Sequence, residues 1–68
     1  MNEQQDNDFP KMSQPAHRAL AAAGYSRLEQ LTRVSEREIL ALHGMGPKAM
    51  RELREALAER GWSFADEK

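Results

Sequence analysis

One stretch of the chain, Ile39-Leu40-Ala41-Leu42-His43-Gly44-Met45-Gly46-Pro47-Lys48-Ala49-Met50, has residue types at a spacing that suits a defined chemistry. Gly44 and Gly46 permit the backbone angles of a tight turn, and Met45 between them is an apolar anchor pointing inward. Pro47 suits the first position of a helix, where an N–H would be unpaired anyway. A helix starting there presents free backbone N–H groups and the positive end of its dipole, which together favour an anion. Pro47 supplies no N–H, so the donors are Gly44, Gly46, Lys48 and Ala49, with the Lys48 ammonium beside them as a mobile charge.

Other chemistries find no support. His17 and His43 are the only histidines, and they fall on different elements with no second pair of ligands at helical spacing. With no cysteine in the chain, disulfides and thiolate zinc sites are excluded. No Ser-His-acid, Cys-His or paired-carboxylate spacing stands out, and the glycine turn does not match the phosphate loops of nucleotide enzymes. A chain of 68 residues buries only about 60% of the surface its unfolded form exposes, so a pre-organised catalytic pocket would compete with the core. The sequence therefore predicts no enzyme, no cofactor and no metal. His43 reads either as a polar helix end or as a pH-dependent contact to an anion at the turn.

The elements that must hold the turn are helices, and no strand pattern competes. The first is expected over Pro15 to Ala23, with Ala16, Ala19, Leu20 and Ala23 on one face, Arg18 pointing away and Gly24 as the stop. Ser26 with Glu29, and Ser35 with Glu38, have the capping-box spacing. They open two short helices, one carrying Leu28 and Leu31 inward, the other running through Leu42 and burying Ile39 with either Leu40 or Leu42. A fourth helix runs from Pro47 to Arg60 and stops at Gly61, with Ala49, Met50, Leu53, Ala56 and Leu57 as its apolar arc. Met45 packs on Met50 at its start. Trp62 and Phe64 fold back to close the core.

The net charge of −1 conceals a gradient. Residues 1–11 and 65–68 are both net acidic, and the middle, 12–64, has a small basic excess that permits anion binding without requiring it. Residues 1–11 read as a disordered acidic segment, 12–64 as the domain and 65–68 as a flexible tail. Neither a membrane span nor a signal peptide is expected, which predicts a cytoplasmic monomer.

The pattern of an apolar helix end, Gly-hydrophobe-Gly and a second helix with a small residue near its start resembles the helix-hairpin-helix motif. From Pro15 to Phe64 the chain further resembles the C-terminal domain of the bacterial RNA polymerase alpha subunit. The resemblance is carried by Arg18-Ala19-Leu20, Tyr25 through Leu31, the Ser35 to Leu42 helix, the hairpin, and Leu57-Ala58-Glu59-Arg60-Gly61-Trp62-Ser63-Phe64. It implies an all-α, compact bundle of four or five helices with one helix-hairpin-helix and one degenerate copy, of the SAM-like class, and DNA as the partner. Gly46 and Lys48 fall at positions that touch the DNA backbone in the family, and Glu52 at a further surface position beside them. The family's principal minor-groove arginine falls at Pro15, a departure, and its polar neighbour falls at Arg18, the candidate to take over that contact.

Two functions follow. The first is a non-enzymatic DNA-binding module with little sequence selectivity, its duplex contacts made by Gly44, Gly46, Lys48, Ala49, Arg18 and Arg51. The second is a protein-interaction adaptor on the same fold, docking a larger partner such as transcription machinery; the Glu52, Glu55, Glu59 row favours it. For Lys48 and Arg51 two fates stand side by side, contact with DNA or neutralisation by Glu52 and Glu55 four residues on.

Overall fold

Three of the four helices begin where a side chain satisfies one or more of the first amides, and the fourth does not. The computed structural model describes residues 8–66 and contains α1 (Gln14–Ala22), α2 (Leu28–Leu31), α3 (Glu36–Leu40) and α4 (Pro47–Glu59), with no strand among the described residues. Ser13 caps α1, its Oγ accepting the Ala16 N–H at 3.4 Å. Ser35 caps α3 by accepting from the Glu38 N–H at 3.1 Å. α4 starts at Gly46, which has no side chain to offer.

The start of α2 differs from the expected Ser26–Glu29 pairing. The helix begins one residue later than that box requires, so the residue at its third position is Gln30. Its Oε1 accepts from the Ser26 N–H at 2.7 Å and the Arg27 N–H at 2.9 Å. The Leu28 N–H donates instead to Asp8 Oδ1 at 2.8 Å, a cap from 20 residues upstream. Two other boundaries also shift. α1 ends before Ala23, which is exposed rather than part of the inner face, and α3 ends at Leu40 rather than Leu42. With Ile39 pointing inward, Leu40 lies about 100° round the helix and is 48% exposed, while Leu42 packs against the core.

A single core unites the four helices: Leu20 from α1, Leu28 and Leu31 from α2, Ile39 from α3, and Met50, Leu53 and Leu57 from α4. Phe64 closes it, 1% exposed, after Gly61 at φ +76 has turned the chain back. Trp62 is only partly buried; it packs on the cluster and carries the Arg60 guanidinium 5.6 Å from its ring centroid. No polar or charged residue is buried among those described. α4 lies against both α2 and α3. No helix of the described residues is long and apolar enough to cross a membrane.

Parts of the expected end segments 1–11 and 65–68 lie on the fold. Residues 1–7 and 67–68 lie outside the described residues, but 8–11 and 65–66 are in place. Asp8 caps α2, and Phe9 packs on the core. At the other end the Ala65 N–H donates to the Val34 carbonyl at 2.9 Å, and Asp66 Oδ1 accepts from the Glu36 N–H at 2.9 Å. Carboxylates at helix N-termini complement the dipole and the unpaired amides together. That gain is what fixes two otherwise polar ends.

Candidate nucleic-acid interface

The turn from α3 to α4 is built by two glycines with different duties. Gly44 adopts φ +104, a region that side chains disfavour, and a Cβ there would meet the Pro15 carbonyl oxygen at 2.7 Å and the Ala19 Cβ at 3.5 Å. It therefore fixes the turn directly onto α1. Gly46 is extended, at φ −146 and ψ 178, and a Cβ on it would meet nothing within 4 Å. The expectation that both glycines are needed to make the turn holds for Gly44 alone; Gly46 instead leaves open space at the head of α4.

The amides around that space have few partners. The Met45 N–H donates to the Leu42 carbonyl at 3.1 Å, and the Met50 N–H closes the first helical bond to Gly46 at 3.0 Å. The N–H groups of Gly44, Gly46, Lys48 and Ala49 make no hydrogen bond within the described residues. Gly44 and Lys48 are exposed and Gly46 partly so, whereas Ala49 is buried. Met45 is partly buried against the core that contains Met50, as an anchor at this point requires.

The cations near the turn are likewise uncommitted. Among the described residues, ion pairs join Arg54 to Glu36 at 2.7 Å and Arg60 to Asp8 at 3.4 Å. Neither Lys48 nor Arg51 forms an ion pair with Glu52 or Glu55. Both lie on the exposed face of α4, three residues apart and hence neighbours on the helix surface. Arg18 is exposed on α1. It stands one turn along α1 from Pro15, whose carbonyl oxygen lies beside Gly44. His43 is exposed in the turn itself, and His17 lies partly buried on α1.

Tertiary structure adds one residue that the sequence assigned to the acidic segment. Lys11 lines a cleft with Met12, Ser13, Lys48, Ala49 and Glu52. No local signal predicts this, because the arm's path depends on Asp8 meeting a helix start 20 residues away. A second hollow, between α3 and α4, is lined by Glu36, Arg37, Leu40, Pro47, Met50, Arg54 and Asp66. No family model matches the chain, and neither a curated protein nor a solved structure matches it.

Proposed function

We propose that this protein is a non-enzymatic DNA-binding module that grips the duplex phosphate backbone with little sequence selectivity. In this reading its helices form one helix-hairpin-helix, α3–turn–α4, and one degenerate copy, α1–turn–α2, as in the C-terminal domain of the RNA polymerase alpha subunit. Both turns carry a glycine at positive φ, +93 at Gly24 and +104 at Gly44, which supports the pairing of the two halves. The observation that carries the functional reading is the open head of α4. There the unpartnered Gly44, Gly46 and Lys48 amides adjoin Lys48 and Arg51, which are free of their acidic neighbours. The buried Ala49 amide contributes through the helix dipole more than by direct contact.

The degenerate turn lacks these features. The Ser26 and Arg27 amides are occupied by Gln30, and the Leu28 amide by Asp8. One phosphate is thus seated by the α4 turn, with Arg18 and Arg51 reaching its neighbours. About three or four phosphate contacts and no base-reading helix give micromolar or weaker affinity, with a log–log salt slope of about −2.7 to −3.6. Binding of useful strength in the cell then depends on avidity or a partner. The test is a titration of a short duplex at two salt concentrations with the wild-type chain and Lys48→Glu. Weak binding that falls steeply with salt and with the charge reversal is expected; binding indifferent to both ends the proposal.

The adaptor reading has one observation in its favour, the half-exposed Leu40 beside the hollow between α3 and α4. A chemical-shift map with the same duplex separates the two. Shifts at the Gly44 to Ala49 amides belong to DNA binding, and unmoved amides leave the adaptor.

A further inference from the structure

The N-terminal arm reaches the head of α4 by a fixed route. Asp8 is tied twice, to the Leu28 N–H at 2.8 Å and to Arg60 at 3.4 Å. Phe9 and Met12 pack on the core, and Ser13 caps α1. Lys11 lies between these anchors and is exposed, so its backbone is held on both sides while its ammonium group stays in solvent. It forms one wall of the cleft whose other wall carries Lys48 and Glu52. Two ammonium groups against one carboxylate leave the cleft cationic. None of the three forms an ion pair among the described residues.

A flexible lysine on a loose tail loses much conformational freedom when it binds. One whose main chain is already anchored loses less, so the surrounding fold favours its use in recognition. We propose that this cleft, on the DNA-binding reading above, seats a second phosphate of the duplex backbone between Lys11 and Lys48, beside the phosphate held by the hairpin amides. Lys11 thus supplies a cation on the arm side of the hairpin. Glu52 offsets part of the charge, which keeps the contact weak at high salt.

The measurement is fluorescence anisotropy of a labelled short duplex across a salt series, with wild type, Lys11→Gln, Lys48→Gln and Arg33→Gln. Arg33 is an exposed cation that lines a different hollow, with Arg27, Glu29 and Gln30, and its substitution removes the same charge. Lys11→Gln is expected to flatten the log–log slope by about 0.9 and weaken binding about tenfold at 50 mM salt, with the slope unchanged in Arg33→Gln. Thermal melting of Lys11→Gln should match wild type, because the side chain is exposed. If Lys48→Gln weakens binding while Lys11→Gln behaves like Arg33→Gln, the second seat is overturned and DNA binding survives. If Arg33→Gln loses as much as Lys11→Gln, net charge explains the effect and the seat is again overturned. Absence of binding by wild type overturns both.

Discussion

At Gly44 the backbone angle and the contact with Pro15 act together, and both forbid a side chain. Gly44→Ala combines a positive-φ penalty with overlap against backbone that cannot move aside, about 2–4 kcal/mol in sum. A chain of this length has about 3–10 kcal/mol to lose, so a large fall in the urea midpoint is expected. Gly46 answers differently, because its backbone is extended and its surroundings are empty. Gly46→Asp places a carboxylate at the N-cap of α4, where it can accept the Ala49 N–H. Stability should rise by a few tenths of a kcal/mol or more. The same carboxylate occupies and repels whatever anion the turn would take, so DNA affinity should drop while the melting temperature climbs. A variant gaining stability with DNA affinity intact would place the phosphate elsewhere.

α2 shows how a helix of four residues persists. Such a segment has no independent stability in water, since nucleation costs more than one turn returns. Gln30 satisfies two amides, Asp8 a third, and Leu28 and Leu31 bury fully in the core. Gln30→Ala removes the first of these supports without touching the core, and about 1 kcal/mol of stability should go with it. Hydrogen exchange at the Ser26 and Arg27 amides should accelerate more than exchange in α4. The capping-box spacing in the sequence located this helix correctly but chose Ser26 and Glu29, because a one-residue shift of the start exchanges Glu29 for Gln30 as the capping side chain. For α3 the Ser35–Glu38 spacing and the observed cap agree.

All four helices and Phe64 share a single cluster, so no part of the domain has a core of its own. Leu53 is fully buried in α4, the helix that packs on both α2 and α3. Leu53→Ala should cost about 2–5 kcal/mol, comparable with the entire stability of the fold. Loss of the cooperative thermal transition is the expected readout. The chain ends contribute to the same unit, Asp8 by capping α2 and Asp66 by capping α3, from 20 and 30 residues away respectively. Anchoring the arm in this way also carries Lys11 to Lys48 and extends the cationic surface beyond the turn.

Helix content, helix order, the stops at Gly24 and Gly61, the inward face of α4 and that of α1 apart from Ala23 were readable from residues one to four positions apart. Those features depend on propensity, capping and periodicity, which act within a turn of helix. Which charges are neutralised and which stay free was not readable. Lys48 and Arg51 have acidic neighbours at helical spacing and leave them unpaired, while Arg54 and Arg60 find partners on other parts of the chain. The places of Lys11, Asp8 and Asp66 depend in the same way on segments that meet only after the core has formed. Surface charge is weakly held and screened by water, so local sequence exerts little control over it, and the folded chain decides where it comes to lie.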